Sequence, residues 1–269
     1  MTACAPPFEN QSRNPLLRAW QKRYARQTPR RPAILPHHCA NCSRRGPRSF
    51  CNLPATALRD LHSIATTLNL DAHKVLINEG FSADHVFVIC SGCVKLIASS
   101  PEGRLLLLRV AGPGDVLGLA ALLPGALYRV TAITLDPCSI KSIPRDDFIR
   151  FMDNFIDASH ATATAMTRDY NSAVLSARRL ALSNSAAGKL ASTLLDWARM
   201  DHLHDGPEHN NLPISFTMPL THEELGSMAG ISRETVTRLL TKFRREGLLD
   251  QTEQQMTLHH PNRLEAIYS

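Results

Sequence analysis

Short apolar runs separated by turn residues dominate residues 52–150. KVLINEGFSADHVFVICSGCVKLIASSPEGRLLLLRVAGPGDVLGL carries the β-rich runs VLI, VFVIC, CVKLIA and LLLLRV, punctuated by NEG, CSG, SPEG and GPGD. Strands this short, with turns this close, predict an antiparallel β-sandwich or small barrel. Gly80, Gly92, Gly103, Gly112 and Gly114 mark its corners, where a positive φ is wanted. AITLDPCSIKSIP adds another pair of short strands. After Pro144 the period changes. FIRFMDNFIDASHATATAMTRDYNSAVLSARRLAL has neither Pro nor Gly, and Phe155, Met166, Tyr170, Val174 and Ala177 recur at helical spacing. That predicts one long helix with a packing stripe, suited either to an ordinary core or to dimerisation.

The remainder, 184–269, opens with a helix, SAAGKLASTLLDWARM, followed by the polar stretch HLHDGPEHNN. The irregular spacing of His202, His204 and His209, beside Gly and Pro, reads as a solvated loop rather than a metal site. The densest local signal is THEELGSMAGISRETVTRLLTKFRREGLLD, 221–250. Thr221 and Glu224 stand at capping-box spacing and open a short helix, with Leu225, Met228 and Ala229 turned inward. Gly230 supplies the turn and Ile231 plugs the angle between two helices. Ser232 caps the second helix, whose apolar residues are Val236, Leu239, Leu240 and Phe243, and Gly247 ends it. This is a helix-turn-helix. LLDQTEQQMTLHH reads as a β-hairpin, the wing of a winged helix.

The outer face of that second helix gives the motif its chemistry. Arg233, Glu234, Thr237 and Arg238 share one side near the N-terminus, the end that enters the major groove of double-stranded DNA. Arg can bond guanine O6 and N7 bidentately, and Glu can accept from the cytosine amino group.

Composition narrows the class. At 269 residues, 43% hydrophobic and 20% charged, the chain has the make-up of a soluble globular protein of one or two domains. No apolar run approaches the ~18–20 residues of a membrane span, and no apolar stretch follows the charged N-terminus as in a secretory leader. The expected location is the cytoplasm, without membrane contact. Residues 1–48 hold ten Lys and Arg against Glu9 alone, or +9, which leaves −3 for the rest of a chain whose net charge is +6. Such an arm is either a solvated leader or an added phosphate contact. No nucleophile–base pair, carboxylate pair or phosphate loop appears, so no enzyme activity is expected.

Seven cysteines in a reducing compartment point to metal, redox chemistry or packing rather than to disulfides. Three fall in HHCANCSRRGPRSFC as C-x2-C-x8-C: Cys39, Cys42 and Cys51. Three thiols leave a four-ligand site incomplete. His37 or His38 could add nitrogen, and zinc or iron–sulfur would both suit a C-x2-C start. Cys90 and Cys93, around a strand turn, read as core packing, and Cys4 as incidental.

A β-roll, a long helix and a winged helix carrying ISRETVTRLL resemble the Crp/Fnr superfamily of bacterial transcription regulators. The resemblance runs over 52–269, on VFVICSGCVKL, GPGDVLGLAALLPG and SRETVTR. It implies an α+β chain. A flexible basic arm (1–36) would lead into a sensor domain of cysteine segment plus double-stranded β-roll (37–150). A dimerisation helix (151–183) and a winged-helix DNA-binding domain (184–269) would follow. It further implies a homodimer on a two-fold-symmetric site, working with RNA polymerase, with base-reading roles at Arg233, Glu234 and Arg238. An Arg-Glu pair at the helix start resembles the cyclic-AMP receptor branch, which implies a TGTGA-like half-site; the oxygen-sensing branch reads TTGAT-type sites.

Members that bind cyclic nucleotide carry a Glu for the ribose and an Arg-Ser pair for the phosphate. Here Leu119 stands at the Glu position, and Arg129 is followed by Val130. That argues against cyclic nucleotide, whose buried polar groups would go unpaired. The oxygen-sensing branch instead places a cysteine cluster before the roll. Cys39, Cys42 and Cys51 resemble its three N-terminal ligands to a [4Fe–4S] cluster, with x8 where x5 is usual. Cys138 is the expected fourth ligand, although it stands six positions before Pro144, whereas the branch's ligand stands about three before its matching proline, nearer Lys141. The resemblance implies an order switch, in which an intact cluster pins the basic segment against the roll and oxygen or nitric oxide releases it.

Overall fold

The computed structural model describes Cys39, Cys42, residues 45–47, 49–102, 104–182, 185–201 and 212–268. The predicted arm, Cys4, His37, His38 and the loop of His202, His204 and His209 lie outside the described residues.

The chain folds as two compact units, one of residues up to Arg104 with Arg109–Tyr170, the other of Leu105–Leu108 with Asn171–Ser269. The first opens with a helix, α1 (Ala55–Ile64), followed by β1 (Thr66–Leu70), β2 (Val75–Ile77), β3 (His85–Ser91) and β4 (Val94–Ser99). After β5 (Leu105–Ala111) and β6 (Val116–Leu117) comes a 3₁₀ turn (Leu119–Leu122), then β7 (Thr131–Thr134) and β8 (Cys138–Pro144). The strands form two antiparallel four-stranded sheets, ordered β1-β8-β3-β6 and β2-β7-β4-β5. This is the expected β-roll. Leu58, Leu61, Val86, Ile89, Ile140, Ile143 and Phe148 fill its core. The turn-rich pattern of 52–150 did not reveal α1, although Leu58, Leu61 and Ile64 recur every three residues, with Pro54 at the N-cap.

The predicted single helix after Pro144 is two. α2 (Arg145–Asn154) ends at Phe155, whose φ −132° and ψ 104° are extended, and α3 (Ile156–Leu182) starts next to it. No Pro or Gly causes the break. The Phe155 ring packs 5.4 Å from Phe151, and the Ser159 hydroxyl donates to the Met152 carbonyl at 2.9 Å across the gap.

The second unit holds α4 (Ala186–Asp201), β9 (Ile214–Thr217), α5 (His222–Ala229), α6 (Arg233–Arg245), β10 (Leu249–Thr252), β11 (Gln255–Leu258) and α7 (Pro261–Tyr268). Its antiparallel sheet runs β10-β11-β9, so the predicted wing hairpin is joined by a third strand. Leu190, Leu194, Phe216, Leu225, Val236, Phe243 and Leu264 are buried in it. Among the described residues no helix is long and apolar enough to cross a membrane.

Candidate functional site

The α5–α6 pair is built from local signals that the structure realises one by one. The Thr221 hydroxyl accepts from the Glu224 N–H at 3.2 Å, while the Glu224 carboxylate accepts from the Thr221 N–H at 2.9 Å, a complete capping box. Leu225, Met228 and Ala229 are buried. Gly230 takes the left-handed conformation, φ 68° and ψ 36°, that the turn needs. Ser232 caps α6 by accepting from the Thr235 N–H at 3.3 Å, and Gly247, φ 67°, follows its end.

One requirement of the turn was missed in the sequence. A Cβ at Gly226 would lie 2.7 Å from the Ile231 carbonyl oxygen, so α5 can approach the turn only with glycine there. A glycine four residues before the turn glycine is the signal that could have revealed it.

With Val236, Leu239, Leu240 and Phe243 buried, α6 turns Ser232, Arg233, Glu234, Thr237 and Arg238 to solvent. They continue into Thr241, Lys242 and Arg245, which with them line one open depression. Four cations face one carboxylate there. The Glu234 carboxyl is held below its ordinary range by its own backbone N–H and by the Ser232 hydroxyl, so it stays ionised. Thr237 is less free than the pattern suggested. Its hydroxyl donates to the Arg233 carbonyl at 3.1 Å and meets His222 Nδ1 at 2.9 Å. His222, which the sequence did not single out, therefore braces the reading face from α5. Burial pushes its pKa down, and the charges of Arg233 and Arg244 add to that.

The cysteines fall into two neighbourhoods. Cys39, Cys42 and Cys51 are half-buried, and Cys39 and Cys51 pack on the roll's core. Burial pushes the Cys51 thiol up to about 11, with Cys42 and Cys39 adding negative fields and Arg45 opposing. Cys39 is raised too, by burial, against the Lys141 ammonium and together with Cys42. Cys90 joins this group. It is pushed up to about 11 by burial and then by Cys39, with Lys141 opposing and Cys51 and Cys42 contributing.

Cys138 is not brought to them. Its thiol is buried, and burial, Asp136 and Cys93 push its pKa strongly upward. Its Sγ lies 3.2 Å from the Asp136 carbonyl and 3.4 Å from that of Cys93. The expected fourth ligand thus sits in a separate, close-packed corner. The reason is strand geometry: Cys138 and the buried Lys141 are three residues apart on β8 and so face opposite sides of the sheet. Among the described residues, no three His, Cys, Asp or Glu side chains stand close enough to hold a single metal ion.

Of the residues weighed in the sequence for cyclic nucleotide, Leu119 is buried in the 3₁₀ turn, Val130 is half-buried and Arg129 is exposed.

Comparison with known proteins agrees with this geometry. Residues 67–155 match the cyclic nucleotide-binding domain family and 188–267 the Crp-like helix-turn-helix domain family. The transcriptional activatory protein AadR of Rhodopseudomonas palustris is 25% identical over 84% of this chain and 91% of its own. The transcriptional activator protein FnrL of Cereibacter sphaeroides is 28% identical over 81% and 86%. The cAMP-activated global transcriptional regulator CRP of Pasteurella multocida is 27% identical over 65% and 81%. Among solved structures, FixK2 from Bradyrhizobium japonicum superposes with a TM-score of 0.64 at 20% identity, covering 77% of this chain and 98% of that one.

Proposed function

Because the chain belongs to the Crp/Fnr family of DNA-binding transcription regulators, we propose that it works as a cytoplasmic homodimer with RNA polymerase. On this reading it recognises a palindromic site through Arg233, Glu234 and Arg238, and senses oxygen, nitric oxide or redox state through a [4Fe–4S] cluster held by Cys39, Cys42 and Cys51. The observation that carries DNA reading is the N-terminal face of α6: two guanidiniums and an ionised carboxylate, exposed on one side of a capped helix. Arg233 and Arg238 suit guanine edges and Glu234 a cytosine amino group, which favours a TGTGA-like half-site over a TTGAT-like one. Pairing of two copies is supported by the apolar stripe of Met166, Tyr170 and Val174, which stands exposed on α3 and needs a cover.

The sensing reading is supported by the donor set. The three thiols share one half-buried neighbourhood, and soft thiolates are the ligands that iron–sulfur clusters take. When bound, the cluster supplies an oxygen-reactive centre. The chain's own contribution is to hold the cysteine segment on the roll: Phe50 is buried, stacks 5.8 Å from Phe148 and donates its N–H to the Gly114 carbonyl at 2.7 Å. Loss of the centre would free that segment and shift the dimer's DNA-competent population.

Two measurements test this. Selection from random duplexes should return TGTGA-like half-sites, and recovery of TTGAT-type sites alone would reject that preference. Anaerobic purification should give a brown protein containing iron and sulfide that bleaches in air. A colourless, iron-free preparation would remove the cluster and leave a Crp/Fnr regulator that responds to haem, a small effector or structural zinc.

A further inference from the structure

We infer that Cys90, on β3, supplies the fourth thiolate to the group formed by Cys39, Cys42 and Cys51, and that Cys138 takes no part in it. The inference rests on the cluster reading above and names the ligand that completes it.

The geometry comes from one glycine. Gly114 accepts from the Phe50 N–H at 2.7 Å and donates its own N–H to the Ile89 carbonyl at 2.8 Å. Phe50 directly precedes Cys51, and Ile89 directly precedes Cys90. A single residue therefore holds together the chain segments from which these two thiols project. Gly114, with φ 88°, has no room for a side chain, since a Cβ would lie 2.9 Å from Ser49 Cα. The cysteine segment is thus seated directly on the turn that also fastens β3.

Strand register then sorts the thiols by face. Paired residues in an antiparallel ladder point to the same side, and residues two apart on a strand share it. Val88 pairs with Lys141, and Lys141 with Thr67. That side carries Val88 and Lys141, and Cys90 follows two residues on from Val88. It is the side that α1 covers, because Lys141 Nζ reaches Thr67 Oγ1 at 2.7 Å and His62 Nδ1 of α1 at 3.2 Å. The register also shifts between Ile89 and Ser91, so Cys90 sits in a bulge with no residue opposite it on β8. Bulges re-aim side chains out of the regular row. The electrostatic neighbours of Cys90 are the three N-terminal thiols and Lys141, which places it among them independently of the register.

Cys138 fails on the same criteria. It is an odd number of residues from Lys141, so it faces the other side. It is also enclosed: a Cβ on Gly92 would come within 2.6 Å of its Sγ. By contrast, the closest polar contact of Cys90 Sγ is a weak one of 4.0 Å to the Val88 carbonyl. Ligation at Cys90 needs only loss of the thiol proton and formation of one sulfur–iron bond, with no change in the oxidation state of sulfur.

The test uses the full-length chain, reconstituted anaerobically with ferrous iron and sulfide. Iron and sulfide content and visible absorption are measured for wild type, Cys90→Ala and Cys138→Ala. Cys138→Ala should match wild type, while Cys90→Ala should lose most of its iron, by several-fold. The reverse pattern, or equal retention by both variants, overturns the inference. Because a core variant can misfold, thiol alkylation of the wild type is compared with and without reconstitution. Cys90 should be modified in the metal-free protein and protected together with Cys39, Cys42 and Cys51 after loading. Equal labelling of Cys90 in the two states rejects its role. A wild type that takes up no iron at all removes the cluster reading itself, a failure distinct from a loaded wild type indifferent to Cys90.

Discussion

Arg179 Nη1 meets Asp196 Oδ2 at 2.7 Å, fastening the last turns of α3 to α4. The guanidinium is almost fully enclosed, with 4% of its side chain exposed, and its other nitrogen Nη2 donates to Ser176 Oγ at 3.2 Å. Burial lowers the Arg179 pKa while Asp196 opposes that shift, so the carboxylate keeps a costly charge tolerable. Removing it by Asp196→Ala leaves that charge uncompensated and should destabilise the second unit by about 3 kcal/mol. The double variant with Arg179→Met should recover part of the loss. Denaturant melts of the four proteins in the cycle measure both.

Gly226→Ala should harm the helix-turn-helix more than Gly247→Ala does. At Gly226 the new methyl meets the Ile231 carbonyl oxygen at 2.7 Å, and overpacking of this kind costs about 1–3 kcal/mol. At Gly247 nothing lies within 4 Å, so only the left-handed φ of 67° is penalised, at about 1 kcal/mol. Both variants should melt earlier than wild type. Gly226→Ala alone should also weaken DNA binding measurably at a temperature where it stays folded, because it moves α6 relative to α5.

Arg233→Ala and Arg238→Ala should each cost on the order of 1–3 kcal/mol of specific binding and relax base preference at one position of the half-site. Lys242→Ala and Arg245→Ala, further along the same face, should weaken specific and random duplexes alike. Each should also reduce the salt slope by about one for every phosphate it leaves without a cation. Mobility shifts over a series of salt concentrations separate the two classes. Glu234→Ala should keep affinity for random duplex while losing discrimination.

Acid should loosen the winged helix through His222. Its folded pKa lies below the ordinary value because of burial and the neighbouring charges of Arg233 and Arg244, so folding favours the neutral ring. The stability this contributes is present above the unfolded pKa of about 6.5 and is lost as pH falls below it, when the unfolded chain takes up the proton first. Melting temperature should therefore drop between pH 7.5 and 5, and His222→Gln should flatten that slope. An unchanged slope in the variant would place the titration elsewhere.

The α5–α6 pair was legible residue by residue. Thr221 with Glu224, Gly230, Ser232 and the buried Val236, Leu240 and Phe243 act over four residues or fewer, and such short-range requirements are written directly in the order of side chains. The strands of the roll were legible for a related reason, since alternation and turn residues are local. The helix break at Phe155 was hidden because no Pro or Gly marks it in the sequence.

The cysteines divide along the same line. Sequence by itself determined that Cys39, Cys42 and Cys51 lie just ahead of a β-roll, because the C-x2-C-x8-C run directly precedes the segment of short apolar runs. Only tertiary structure decided which distant thiol stands near them. That choice depends on the β3–β8 register, a bulge at Cys90 and the seat of Phe50 on Gly114, all contacts between residues dozens of positions apart. A one-residue difference in register exchanges the two faces of a strand, which is why Cys138, three residues from Lys141 on β8, faces away from it.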